Sequence, residues 1–549
     1  MKKIVLIGIN SKYVHTNIAI RYIKKYLEKN GVESNIYENT VNNSLNDIIR
    51  DIFLLKPDIC AFSVYIWNRE YVFKIVNELK KMMPLLKIYL GGPEVAYDSE
   101  DILKNNNNVD LIFNGEGEDS FLSLLKFGID NGHSYTYVSN NLIHKKNIKM
   151  LDLSELDIFP YDDNELLENG KIFYYESSRG CPYSCSYCMS SIDKQVREYN
   201  ISIVKKHLLK FINYKVPLVK FIDRTFNLKK ERYMEIWKFL LENYNEKTSF
   251  HFEISADLLD DECIEFLKKI PNGYFQFEVG VQSSNIETLN EINRKCSLEK
   301  LKNNILKINR NIHLHLDLIA GLPLETYEIF KTSFNFVYSL KGEMIQLGFL
   351  KFLKGTKMFE KASEGYNFFA FPPYEVISTP YISYNNIIKL KIIENCLDLF
   401  YNSGKFNNSV KYIVENYYNS PFEFYEELAV FWEKNGFHNL AHKPISLFNY
   451  FYNFVVDKKN VKMDVFIEML KFDFLLLGKP GFFPEWFNRN SSRELFKNAV
   501  ENSNYFNSEK DGYKNGEFEI FMHIFEKKSS VLFIYNKQKK VITEVVNIE

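Results

Sequence analysis

Short apolar runs, each followed by a helix-patterned stretch, recur along the first two-thirds of this chain, and no other feature limits its fold as strongly. "KIVLIGI" precedes "NIAIRYIKKYLEKNG"; then come "PDICAFSVY", "REYVFKIVNELKKMMP", "KIYLGGP" and "VDLIFNGEGEDSFLSLLKFG". Strands that alternate with helices form a parallel, doubly wound sheet, and such sheets bind ligands at the carboxyl ends of their strands. The polar and glycine-rich words "NSKYVH", "SVYIWN", "GGPEV" and "NGEGE" fall at those ends. "NGEGEDS" lacks the third glycine of a dinucleotide loop and carries three acids that would repel a pyrophosphate, so a dinucleotide is not expected.

The rhythm lapses from about residue 131 to 170, where "LDLSELDIFPYDD" brings proline and acids, and this stretch reads as a linker. Alternation then resumes. "KIFYYESS", "LVKFIDRTFN", "FHFEISAD", "YFQFEVGVQS", "IHLHLDLIAGLP" and "EMIQLGFLKFL" are six strand candidates separated by helical segments, too few for a closed eight-stranded barrel and enough for an open one. From about residue 366 the chain is aromatic-rich and mostly helical, ending in the strand pair "FEIFMHIF" and "SSVLFIYN". The expected fold class is α/β. A doubly wound, Rossmann-like domain spans 1–130, a linker 131–170, a partial (β/α)6 barrel 171–365, and a helical domain of unknown role 366–549.

The 549 residues carry 69 basic and 70 acidic side chains, a net charge of -1, so no overall field favours nucleic acid or an anionic membrane. No apolar run reaches the ~20 residues of a membrane span, and "MKKIVLIGIN" turns polar too soon for a secretory signal, so a cytoplasmic protein is expected. The cysteines agree. Three of the seven, Cys181, Cys185 and Cys188, lie within eight residues, which is not the even, dispersed pattern of a secreted disulfide framework. The other four read as core residues.

Three thiolates on one loop can converge on a single metal centre, and soft sulfur ligands suit iron–sulfur or zinc. A closed structural site takes four ligands. With three, one position stays open for a small molecule, and no histidine or fourth cysteine lies near in sequence to complete a zinc site.

"RGCPYSCSYC" resembles the cluster loop of the radical S-adenosylmethionine (SAM) superfamily, including the aromatic Tyr187 before the third cysteine. The resemblance implies a [4Fe–4S] cluster on Cys181, Cys185 and Cys188, SAM chelated to the fourth iron, and reductive cleavage of SAM to a 5'-deoxyadenosyl radical. Further SAM contacts are implied at Glu253, Glu278 and Gln282 for the ribose, and at Arg294 for the carboxylate. The usual glycine–glycine–glutamate segment is replaced by "FIDRTFN", which leaves Asp223 as the candidate for the methionine amine.

A doubly wound domain directly before such a barrel resembles the cobalamin-binding radical SAM class, in a subgroup with an uncharacterised C-terminal domain. The resemblance places Ser11, Tyr13, His15, Ser63, Tyr65, Gly91, Gly92, Glu94, Gly115, Glu116 and Gly117 around the corrin. His15 stands in register with the histidine of Asp-x-His-x-x-Gly, a cobalt-ligating motif whose aspartate and glycine are missing here. The implied activity is methylation of an unactivated carbon of a small-molecule or peptide substrate, with electrons from a reducing protein such as a flavodoxin or ferredoxin. Alternatives are a non-methylating rearrangement or oxidation with cobalamin as electron relay, and a cobalamin or redox sensor. An RNA methylthiotransferase would carry a second cysteine triad in its N-terminal domain, where this chain has only Cys60.

Overall fold

The computed structural model describes residues 2–154, 156–308, 311–458, 460–525, 528–535 and 541–546. They fall into two compact units, residues 1–326 with 348–383, and residues 327–347 with 384–549.

The first unit opens with β1 (Ile4–Asn10), β2 (Asn35–Thr40), β3 (Ile59–Ser63), β4 (Lys87–Gly91) and β5 (Leu111–Phe113), parallel and in the order β2-β1-β3-β4-β5. Every residue of β1 is buried, as a central strand covered on both faces requires. The helix Ile18–Lys29 starts where the Asn17 side chain accepts a hydrogen bond from the Ile20 amide. Chain order reverses between β1 and β3, and a doubly wound sheet opens its binding crevice at such a reversal.

The expected linker needs correction. β6 (Tyr135–Ser139) and β7 (Leu142–Lys145) form a hairpin that extends the sheet antiparallel to β5. Its two turn residues, Asn140 and Asn141, both have positive φ, 51° and 60°, which a two-residue turn of this twist demands and asparagine tolerates.

The second sheet contains the six strands expected. β8 (Phe173–Tyr175) is followed by a short ribbon of β9 (Ser178–Arg179) and β10 (Arg197–Glu198) that brackets the cysteine loop. Then come β11 (Leu218–Phe221), β12 (Ser249–Ile254), β13 (Phe275–Gln282), β14 (His313–Ala320) and β15 (Met344–Phe349, of which residues 344–347 are grouped with the second unit), in the order β15-β14-β13-β12-β11-β8. On β12 and β13, Phe250, Phe252, Phe275 and Phe277 are fully buried, and the polar His251, Glu253, Gln276 and Glu278 alternate with them. Side chains alternate across a strand, so the aromatics pack outward against helices and the polar set lines the lumen. A ribbon of β16 (Asn367–Phe368) and β17 (Val376–Ser378) ends this unit.

The second unit packs aromatic helices. Trp432, Phe448 and Phe451 are fully buried, consistent with the reading of these aromatics as core. Buried Asp473 accepts hydrogen bonds from the Ser409 amide (2.8 Å) and hydroxyl (2.6 Å), serving as N-terminal acceptor for the helix Asn407–Tyr417. The closing strands are three, not the expected two: β18 (Gly516–Phe521), β19 (Ser529–Tyr535) and β20 (Val541–Val546), all antiparallel. Among the described residues no helix is long and apolar enough to cross a membrane.

Candidate cofactor sites

Gly180 begins the cysteine loop at φ +93°, where a Cβ would meet the Gln195 carbonyl oxygen at 2.2 Å. The loop is tied at three points: Cys181 N donates to Asp193 O (2.9 Å), Ser186 N to Ile292 O (2.9 Å), and Met358 N to Ser186 O (2.9 Å). Cys181 and Cys185 are buried and Cys188 is half-buried. Burial pushes the Cys185 thiol up, and Arg294 Nη1, 4.0 Å from its Sγ, opposes that shift.

A cavity of about 170 Å³ adjoins these thiols. Tyr187, Glu253, Glu278, Gln282 and Arg294, expected around SAM, line it together with Cys185 and Cys188. Three buried polar atoms in its wall, Gln282 Oε1, Arg294 Nε and Asp317 Oδ1, have no hydrogen-bond partner among the described residues. Orphaned polar atoms around one cavity call for a polar ligand, so the donor set fits a cluster with SAM beside it. Burial, reinforced by Glu278, pushes Glu253 up to about 7, and burial raises Asp317 well above the carboxylate range. Glu278 is held at about 2, first by the His251 imidazole and also by Lys220, whose Nζ lies 3.2 Å away.

Asp223 is placed elsewhere. It is 1% exposed, and its carboxylate accepts from the Ser177 amide (2.8 Å) and the Ser177 and Ser178 hydroxyls (2.7 and 2.6 Å), which fixes the approach to the cysteine loop. It does not line the cavity.

The corrin candidates divide between two further cavities at the carboxyl ends of β1, β3, β4 and β5. Ser11, His15, Tyr65 and Glu94 line one of about 580 Å³; Ser63, Tyr65, Gly91, Gly92, Gly115, Glu116 and Gly117 line one of about 270 Å³, with Tyr65 common to both. Tyr65 and Trp67 stack with centroids 4.5 Å apart, a flat apolar wall suited to a macrocycle. At Gly92 φ is +112° and a Cβ would sit 2.4 Å from the Val64 carbonyl oxygen, so only glycine lets the chain pass there. Tyr13 departs from expectation: it lines neither cavity, is 68% exposed, and stacks under Lys171 Nζ at 3.6 Å.

Two of the acids are occupied. Glu94 accepts from the Tyr374 hydroxyl and pairs with Arg69 at 3.5 Å. Glu116 meets Arg179 Nη1 at 3.1 Å and Arg197 Nη2 at 2.8 Å, and accepts from the Leu151 amide at 2.7 Å. Burial opposes its charge, but Arg179 and Arg197 outweigh burial and hold its pKa below the usual range. Arg179 Nη2 also reaches Glu118 and Glu176, each at 2.6 Å. This network rivets the loop after β5 to the strand that leads into Cys181.

Sequence reasoning missed Arg179, Tyr174, Arg224 and Asp317. Arg224 lines both the 170 Å³ and the 580 Å³ cavities; consecutive residues divide between them, Cys188 lining the first and Met189 the second. Asp317 was legible, because "HLHLDL" places His313, His315 and Asp317 on one face of a strand whose other face is apolar.

Three family models match the chain in succession: "B12 binding domain" over residues 4–125, "Radical SAM superfamily" over 175–337, and "Protein of unknown function (DUF4080)" over 363–542. The chain is 25% identical over 307 residues to the cobalamin-dependent radical SAM methyltransferase TokK of Streptomyces tokunonensis, an alignment that covers 51% of this chain and 44% of TokK. It is 21% identical over 359 residues to the anaerobic magnesium-protoporphyrin IX monomethyl ester cyclase of Cereibacter sphaeroides, covering 59% of this chain and 56% of that enzyme. The structure of the cobalamin-dependent SAM radical enzyme OxsB, with aqua-cobalamin and SAM bound, matches at a TM-score of 0.61 and 15% identity, covering 86% of this chain and 84% of that one, a likeness of fold. The first two domains are those that carry cobalamin and a [4Fe–4S] cluster with SAM. With the third behind them, the chain carries the B12-binding and radical SAM domains that define the cobalamin-binding radical SAM class, followed by a DUF4080 domain.

Proposed function

We propose that this protein is a cobalamin-dependent radical SAM enzyme that methylates an unactivated carbon of a small molecule or peptide. The observation that carries the reading is the shared wall: Arg224 borders the cavity beside the cysteines and the larger cavity beside the corrin loops, with Cys188 and Met189 on its two sides. When bound, the cofactors supply SAM cleavage to a 5'-deoxyadenosyl radical, hydrogen removal from the substrate, and methyl delivery from cobalt to carbon.

The chain's own residues bind, orient and exclude water. Cys181, Cys185 and Cys188 hold the cluster, and Arg294 presents a fixed cation to the SAM carboxylate. Glu253 and Gln282 offer acceptors to the ribose hydroxyls, and Glu253 is poised to give or take a proton near neutrality. Around a corrin, Ser63, Gly91, Gly92, Gly115 and Gly117 would allow close backbone approach, and the stacked Tyr65 and Trp67 would offer it an aromatic wall. TokK, one of the relatives of this chain, is a methyltransferase, which favours this chemistry. A flavodoxin or ferredoxin in the cytoplasm supplies the electron, and the net charge of -1 offers no field for nucleic acid.

A second reading, radical chemistry without methylation, is favoured by the likeness to the cyclase of Cereibacter sphaeroides. The deciding experiment purifies the protein without oxygen from cells supplied with cobalamin. Iron and sulfide near four each, with about one corrin per chain, are expected. S-adenosylhomocysteine formed together with 5'-deoxyadenosine from the true substrate supports methylation. 5'-Deoxyadenosine alone supports the second reading, and iron without corrin overturns both.

A further inference from the structure

Beside the SAM cavity, and sharing Glu278 with its wall, the barrel lumen holds a cluster of polar side chains whose two histidines no step above uses. Glu253 on β12 and Asp317 on β14 have neighbours two residues earlier on the same strand faces, His251 and His315. Glu278 on β13 stands between them, its backbone directly paired with His315 and diagonal to His251. One ligand atom from each of His251, Glu278 and His315 lies within 4.8 Å of the other two.

His251 is 3% exposed; its Nδ1 has no hydrogen-bond partner among the described residues, and its Nε2 lies 3.3 Å from Glu278 Oε2, a contact too poorly formed to count as a full hydrogen bond. A buried imidazole without a well-formed hydrogen bond leaves a lone pair open to an occupant. Two imidazoles and one carboxylate match the donor set of a divalent zinc or ferrous centre with open positions. Burial lowers the pKa of both imidazoles, that of His315 to about 4, and the neutral imidazole is the form that ligates a metal. Metal bonds of about 2.1 Å bring tetrahedral ligand atoms to about 3.4 Å apart, a closure that rotation of the half-buried Glu278 and His315 can supply.

We propose that His251, Glu278 and His315 bind a divalent transition-metal cation of the zinc or ferrous class, distinct from the iron–sulfur centre. Lys220 Nζ, 3.2 Å from Glu278 Oε2, is the cation that balances the carboxylate in the metal-free protein. Metal and ammonium therefore compete for one oxygen. This inference does not rest on the corrin or on methylation.

The test uses full-length protein with its iron–sulfur cluster loaded, so that the cysteines are taken, stripped of loose metal with a chelator and then given Zn2+. About one zinc per chain above the iron is expected, with X-ray absorption showing imidazole nitrogen and carboxylate oxygen and no sulfur at about 2.3 Å. Affinity is expected to fall at least tenfold in H251Q and in H315Q and to rise at least tenfold in K220M. Failure of wild type and K220M to retain zinc overturns the proposal. So does sulfur-ligated zinc, or unchanged binding in the H251Q/H315Q double variant. The K220M and absorption arms keep the test decisive if either histidine variant fails to fold.

Discussion

The hydroxyl of Tyr174, on the first barrel strand, lies 2.7 Å from Nδ1 of His15, in the loop that follows the first strand of the cobalamin-binding domain. The aspartate of the Asp-x-His motif is missing from the chain, where Tyr13 stands instead, and the hydrogen-bond partner of this imidazole is a phenol from the next domain. His15 is thereby held from both sides, since its backbone also bridges Ile172. A double-mutant cycle of Y174F and H15Q is expected to give a coupling of about 0.5–1.5 kcal/mol in urea denaturation. Additive effects would show that the contact contributes nothing.

Arg179 is the hub of a largely buried charge network that includes Glu116, Glu118 and Glu176. Removing the cation leaves three carboxylates without it, a change that typically costs about 3–5 kcal/mol. R179M is expected to lose stability on that scale, and iron content after reconstitution should drop with it. An R179M protein as stable as wild type would mean that the acids find other partners.

Gly92 adopts φ +112° with its missing Cβ directed at the Val64 carbonyl. G92A must move backbone rather than a flexible side chain, so a loss of at least about 2 kcal/mol is expected, with corrin content falling as the loop after β4 shifts. Thermal denaturation and the corrin absorbance read the two effects separately, and a neutral G92A would contradict the close approach.

Glu253 gives a pH signature. Burial and Glu278 raise its pKa to about 7, against an ordinary value of 4.5, so the folded chain binds more protons than the unfolded one between those limits. Its contribution to stability is therefore present below pH 4.5 and is lost as pH rises through 7. E253Q removes the term. Relative to wild type, the variant should gain stability between pH 4.5 and 8, by about 3 kcal/mol at most. A pH-independent difference in urea midpoints would refute the shift.

The six barrel strands were legible because each is a short apolar or alternating run bounded by helix patterns. The hairpin of β6 and β7 was not, although "SNN" carried its turn chemistry: "YTYVS" and "LIHK" are short and half polar, and proline and acids a few residues on suggested a linker. Within the candidate sites, spacing pointed to the cysteines, and the resemblance to the radical SAM superfamily pointed to Glu253, Glu278 and Gln282. Neither could show that Glu116 is committed to Arg179 and Arg197, because those partners lie 63 and 81 residues away and only the folded chain brings them together. Asp223 likewise looked free in the sequence. Its three hydrogen-bond donors come from Ser177 and Ser178, on the chain between β8 and β11.

Cys188 and Met189 are adjacent residues on opposite sides of the division between the cluster-side and corrin-side cavities. Successive Cα atoms are about 3.8 Å apart, so the partition there is one peptide thick. A molecule seated against Met189 has its near atoms a few ångströms from whatever is held at Cys188, a separation comparable with the reach of a single side-chain rotation. A change of side chain at residue 189 therefore reshapes the corrin-side chamber next to the cluster without altering one of the three cysteines.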